Sequence, residues 1–535
     1  MPAASAKPND NKKPKNNNPH PISIMLIKCF SAALQGIRAE LVTIEIHAVA
    51  GSEFSLVGLP DNAVKESRDR IRAAMMVNGF KPPIKQITIN MAPADLKKEG
   101  AGFDLPLAIG MLYVTEDVQR SKLDEYMIVG ELSLDGTLQP VRGVLPISLC
   151  AKEHGFKGII LPQANAHEAA VVDGIDVIAA ETLLEVVHFL NGIQPIEPTH
   201  IDIEQAFAQQ EGVTDIDFSD IRGQENVRRA MEVAAAGGHN MIMVGPPGSG
   251  KSMLAKRLPT ILPPLTLEEA IDTTKIHSVA GLLSAGQSLV TTRPFRSPHH
   301  TATDVALIGG GSNPHPGEIS LAHNGVLFLD EVPEYKRATL EVLRQPIEDR
   351  KITVARSKMT IEYPASFMLV AAMNPCPCGN YGNPLRTCTC TPAQVHRYKS
   401  RVSGPLLDRI DIQCEVQAVP FEMLQSQQPG EASCVVRERV VRARKVQQER
   451  FRNSGIYCNA QMSSRQVRRY CPIDAEGSTL LQKAMESLGL SARAYDRILK
   501  VARTIADLES SPNIQPQHLM EAISYRSLDR STWGE

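Results

Sequence analysis

Aromatic residues make up only 4% of this 535-residue sequence, with a single Trp. No cluster of them interleaves with basic residues, which argues against base-stacking platforms as the main mode of any nucleic-acid binding. No apolar run reaches the roughly 18 residues that a membrane-spanning helix needs, so no membrane partner is expected. The opening stretch "MPAASAKPNDNKKPKNNNPHP" lacks the apolar segment of a secretory signal. Its Asn, Lys and Pro leave almost nothing to bury, and it reads as a disordered tail over 1–22. Excess charge is also lacking: the formal net charge is -2. That excludes a uniformly basic protein and confines any nucleic-acid contact to local loops or stripes. Cysteines number ten, and without a secretory signal they are expected to be reduced thiols in a cytoplasmic protein.

The length exceeds what one hydrophobic core supports. Residues 23–193 read as a compact α/β domain. "ELVTIEIHAV" and "QITINMAP" alternate as strands do, and "AVKESRDRIRAAMMVNG" has helical spacing and stops at a Gly. "YMIVGELSLDGTLQPV" carries the hairpin signal Asp135-Gly136. Residues 194–215 lose periodicity and gain Pro, Gln and acids, as a linker does. A second α/β domain is expected over 216–420, and an all-helical piece over 421–535.

The chemistry sits in the second domain. Met241 to Val244 is a short apolar run, followed by "GPPGSGKS" and then by a helical pattern. Strand, Gly-rich loop and helix in that order make a phosphate-binding loop of Gly245, Pro246, Pro247, Gly248, Ser249, Gly250, Lys251 and Ser252. Its backbone N–H groups cradle phosphates, Lys251 reaches the β/γ oxygens, and Ser252 ligates Mg²⁺. ATP and Mg²⁺ are therefore the expected cofactors. In "GVLFLDE" a second apolar strand ends at Asp330, placed to hold the Mg²⁺, and Glu331, placed to deprotonate the attacking water. A third, "SFMLVAAMN", ends in Asn374, whose amide could position that water.

"NPCPCGNYGNPLRTCTC" supplies Cys376, Cys378, Cys388 and Cys390. Two Cys-x-Cys pairs could give four thiolates to a tetrahedral Zn²⁺. Reduced free thiols and a redox disulfide are the alternatives, because the spacing departs from the usual Cys-x₂-Cys. The pair His299-His300 is read as hydrogen-bonded structure, with no ligand role.

The order of phosphate loop, "LFLDE", "AAMN", "LLDRID" and "SARAYDR" resembles an AAA+ ATPase. The long stretch "RPFRSPHHTATDVALIGGGSNPHPGEISLAHNGVLFLDE" is similar to the helix-2 insertion of magnesium-chelatase-type ATPases. "DRKITVARSKMTIEYPASFMLVAAMN" is similar to the pre-sensor-1 hairpin of that clade. The N-terminal half, "RPFRSPHH", "NPCPCG" and "RVSGPLLDRID" together resemble the ComM/YifB magnesium-chelatase-like proteins, from about residue 24 onward. The resemblance implies that Arg409 completes a neighbour's site as an arginine finger and that Arg493 is the lid arginine. It further implies a homo-hexameric ring and ATP-driven branch migration on single-stranded and branched duplex DNA in natural transformation, with a recombinase as a candidate partner. The N-terminal domain resembles a Lon protease domain in which Gly102 ("KKEGAGFD") replaces the nucleophilic Ser and Leu145 ("PVRGVLPI") the Lys, so Ser–Lys proteolysis is not expected.

DNA would meet the hairpin tip through Arg356 and Lys358, as phosphate contacts independent of base sequence. The Gly309-Gly310-Gly311 loop is a second candidate. Arg437 to Arg452 is strongly basic but reads as a solvated face. The competing readings are a chelatase-type motor and a protein-remodelling ATPase.

Overall fold

The computed structural model describes residues 25–119, 122–203, 207, 216–284, 286–311, 314–356, 359–383, 386–419 and 430–526. The expected tail and half of the expected linker (204–206 and 208–215) lie outside the described residues; 195–202 carry neither helix nor strand.

The N-terminal sequence builds a seven-stranded mixed sheet. Its order is Phe54–Val57, Gln86–Ala92, Arg38–Val49, Met25–Gln35, Tyr126–Ile128, Gly158–Pro162, Asp176–Ala180. In Arg38–Val49 the alternation sends Val42, Ile44, Ile46 and Ala48 into the core. Helices Asn62–Val77 and Asp104–Val114 cover that face. The first starts where the Asp61 carboxylate accepts the Val64 N–H at 2.8 Å. Helix Val144–Glu153 covers the other face.

The second sheet is five parallel strands in the order Phe295–Arg296, Val326–Leu329, Met368–Met373, Met241–Val244, Ile412–Glu415. Val326–Leu329, Met368–Met373 and Met241–Val244 are buried at every position. Continuous apolar runs are what a parallel sheet covered on both faces demands. The chain after 430 is helical, and Val436, Val440, Ile498 and Leu519 share one core with helix Glu225–Gly237.

The two sheets are joined physically. The Gly143 N–H donates to the Ser278 carbonyl at 3.2 Å. The Ser278 hydroxyl donates to the buried carboxylate of Glu168, whose pKa burial raises. The hairpin Lys351–Arg356/Met359–Pro364 forms as the sequence suggests. Gly36, at the turn between Met25–Gln35 and Arg38–Val49, presses against it: a Cβ there would stand 2.6 Å from Ile361 Cγ2.

Candidate ATP-hydrolysis site and four-cysteine clip

Val244 pairs with Met373 in register, and Leu329 pairs with Ala371. The loops that follow these three strands therefore open at one edge, the carboxyl ends, where ligands bind in open α/β sheets. Gly245 is dictated by space, since a Cβ would lie 2.1 Å from the Val416 carbonyl oxygen. Gly250 takes the left-handed backbone, with φ +88°, directly before helix Lys251–Arg257.

Lys251 is buried and folds back into its loop. Its Nζ donates to the carbonyls of Gly245 (2.7 Å) and Pro246 (3.0 Å) and to Asn374 Oδ1 (3.2 Å). Burial lowers the pKa of the ammonium, while Asp330 and Glu331 act to raise it. The Ser252 hydroxyl donates to the Asp330 carboxylate at 2.5 Å. Hydroxyl and carboxylate oxygens side by side are the donor set that a hard cation such as Mg²⁺ takes. Ser249 Oγ is buried and without a partner among the described residues. The residues present thus fit a nucleotide with its Mg²⁺. Glu331 is half exposed and holds a left-handed backbone, with φ +50°. Its own N–H donates to Asp330 Oδ1 at 2.9 Å. Such a conformation in a non-Gly residue costs about 1–3 kcal/mol and clusters at functional sites.

The sequence reading missed His300. Its Nδ1 lies 3.7 Å from Glu331 Oε2, and its ring lies tilted by 34° against His299 with centroids 4.1 Å apart. The Tyr335 hydroxyl ties this loop down by donating to the Pro298 carbonyl at 2.7 Å. The signal was positional: the doublet follows Phe295–Arg296, which pairs with the strand that ends in Asp330. A two-residue strand has no readable periodicity.

Arg409 is not at this edge. Its backbone carbonyl accepts from the Asn240 side chain at 3.3 Å, and Asn240 precedes Met241–Val244. At about 3.3 Å per residue the length of that strand separates Arg409 from its own phosphate loop. The buried guanidinium pairs with Glu348 at 2.8 Å, and its Nε has no partner among the described residues. Arg493 is exposed, in the first turn of helix Ala492–Leu508. One turn on, Arg497 donates to the Arg409 carbonyl at 3.1 Å and pairs with Asp411. Arg497 thereby ties helix Ala492–Leu508, which carries Arg493, to the loop of Arg409.

Arg356 ends its strand, and Lys358 lies outside the described residues. Gly309 and Gly310 form a short strand paired with His315–Pro316. The basic helix Ser433–Arg450 is less solvated than expected. Arg439 pairs with Glu431 and Glu232, Arg450 with Asp507, and Arg444 Nη2 donates to the Ala235 carbonyl at 2.9 Å. In the N-terminal domain Gly102 lines a cavity of about 570 Å³ together with Lys97, Glu99, Glu131 and Arg142, while Leu145 is buried in the core.

The four cysteines converge, with all sulfurs within 4.8 Å of one another. Cys376 is fully buried. Backbone N–H groups of Asn380 and Thr389 push the Cys378 thiol down to about 5.

A parallel sheet with a phosphate loop, an acidic pair and a polar strand end in this order, plus a helical lid, defines an ATP-binding AAA+ protein. The chain belongs to the ComM/YifB family of magnesium-chelatase-like proteins. Three family models match it: magnesium chelatase subunit ChlI over residues 217–424, subunit ChlI of Mg-chelatase over 44–165, and the subunit ChlI C-terminal region over 430–526. It is 46% identical to competence protein ComM of Haemophilus influenzae, over 94% of this chain and 97% of that protein. It is also 46% identical to protein YifB of Escherichia coli, over 93% of this chain and 96% of that protein. Lon protease 2 of Bacillus subtilis is 30% identical over 145 residues, covering 26% of each protein. Among the described residues, no helix is long and apolar enough to cross a membrane.

Proposed function

We propose that the chain is the subunit of a cytoplasmic homo-hexameric ring that hydrolyses ATP to drive branch migration and strand separation on recombination intermediates. The setting is natural transformation, with single-stranded and branched duplex DNA as substrates and a recombinase as a working partner. The observation that carries this reading is the match to competence protein ComM over 97% of its length, in a chain whose phosphate loop, Asp330 and Asn374 meet at one sheet edge.

MgATP, when bound, supplies the phosphoryl group and the cation that neutralises its charge. Lys251 exchanges its carbonyl partners for phosphate oxygens and so holds the loop open. Ser252 and Asp330 present their oxygens to the metal. Glu331 orients a water and takes its proton, and Asn374 holds that water in line while bonded to Lys251. His300 fixes the carboxylate of Glu331. Arg409 stands a strand's length from its own loop, so its guanidinium serves a neighbour's site, and Arg493 acts as the lid arginine. That need for a neighbour supports the ring. The four thiols of Cys376, Cys378, Cys388 and Cys390 hold a structural Zn²⁺. Arg356 and Lys358 at the hairpin tip bind DNA phosphates.

A second reading, a chelatase-type motor, is favoured by the magnesium chelatase family match. Labelled forked, three-strand and four-way junctions with ATP, beside Glu331→Gln, separate the two. Strand release that needs ATP and vanishes in the variant is expected. No release on any junction, with ATPase unaffected by DNA, sinks the DNA-motor reading.

A further inference from the structure

We propose that the four-cysteine clip forms one wall of the phosphate loop, so that its metal and the nucleotide bind with linked affinities. This rests on the reading that the four thiols hold Zn²⁺.

The sulfurs are spaced for a metal. Tetrahedral Zn²⁺ with Zn–S near 2.3 Å sets sulfurs about 3.8 Å apart. Cys376 and Cys378 are 3.4 Å apart, Cys376 and Cys388 3.7 Å, and Cys378 and Cys388 3.6 Å. All four cysteines are free thiols. Backbone N–H groups also point at the sulfurs, Tyr381 to Cys376 at 3.3 Å and Cys378 to Cys390 at 3.4 Å.

The clip also touches the nucleotide machinery at two places. Asn374, which bonds Lys251, is two residues before Cys376. Gly379 takes a left-handed backbone, with φ +78°, and sits on Pro247 of the phosphate loop. A Cβ on Gly379 would lie 2.3 Å from Pro247 Cδ. Of the four cysteines only Cys376 is fully buried, so little apolar burial holds the segment in place and a metal staple would do so instead. Without the staple the wall behind Pro247 and the strand end at Asn374 both loosen. By linkage, whatever the metal adds to nucleotide affinity, the nucleotide must add to metal affinity.

The test uses the purified full chain. Zinc is measured by mass spectrometry. Affinity for a fluorescent ADP is measured before chelation, after it, and after reloading with Zn²⁺. About one zinc per chain is expected, with nucleotide affinity falling about tenfold or more on depletion and returning on reloading. Zinc-free protein with four titratable thiols in the clip overturns the metal reading itself. Zinc-bearing protein whose affinity ignores depletion overturns the link alone. Gly379→Ala keeps all four ligands while pressing on Pro247; full zinc with weakened ADP binding is expected, and full zinc with unchanged binding overturns the contact. Should the depleted chain unfold, chelator competition on the intact chain decides the matter. ADP is expected to tighten zinc binding, and equal zinc affinity with and without ADP overturns the link.

Discussion

Glu348 holds the buried guanidinium of Arg409 by a 2.8 Å ion pair, at the end of the sheet away from the chain's own phosphate loop. Arg409→Ala is expected to leave nucleotide binding intact and to lower turnover by about 10³-fold or more. Mixed with Glu331→Gln, it should recover part of the activity, because some mixed interfaces join a sound hydrolytic set to a sound arginine. An inactive mixture at every ratio refutes the assignment to a neighbour's site.

Lys251→Ala removes the buried ammonium that bridges two loop carbonyls and Asn374. Nucleotide affinity should fall roughly 30-fold or more, measured by titration with a fluorescent nucleotide. Unchanged affinity moves the binding site elsewhere.

Glu331→Gln should still bind ATP while turnover falls by about 10²–10⁴-fold. His300→Ala should cost about tenfold in kcat with nucleotide affinity unchanged, as loss of a partner that orients a working group does. Partial rescue by His300→Asn separates positioning from folding. Full activity in His300→Ala removes the histidine from the mechanism.

Asp411 is buried; desolvation acts to raise its pKa, but Arg497 and His239 prevail and hold it well below the carboxylate range. A depressed folded pKa gives stability that is fully present above the unfolded value of about 3.9 and lost as pH falls further toward the folded value. Asp411→Ala strands Arg497 and should cost about 3–5 kcal/mol in chemical denaturation. Wild-type stability in that variant contradicts the role of this pair in fastening the lid.

Arg356→Ala should weaken DNA binding alike on unrelated sequences, and it should reduce the slope of log affinity against log salt by about one. A sequence-dependent loss, or none, takes Arg356 out of the DNA contact.

The phosphate site was legible because each of its parts is a local word. Met241 to Val244, Val326 to Leu329 and the run ending at Asn374 are apolar strands followed by the polar residues that the chemistry needs. Parallel pairing then brings those ends together without further instruction. What stayed hidden depends on contacts distant in sequence. His300 meets Glu331 only through a two-residue strand, and Gly379 meets Pro247 only after the clip has closed. The charges of Arg439 and Arg450 looked like solvent-facing excess because Glu232 and Asp507 lie far away along the chain.

The seat of Gly36 on Ile361 bears on how a stroke could travel. With no Cβ at the turn, Ile361 comes up against the Gly36 backbone, and the neighbouring Ile37 packs into the same apolar cluster as Ile352, Val354 and Tyr363. The turn is thus keyed to the hairpin as a tooth sits in a notch. A displacement of the hairpin in any direction is handed to the strands Met25–Gln35 and Arg38–Val49.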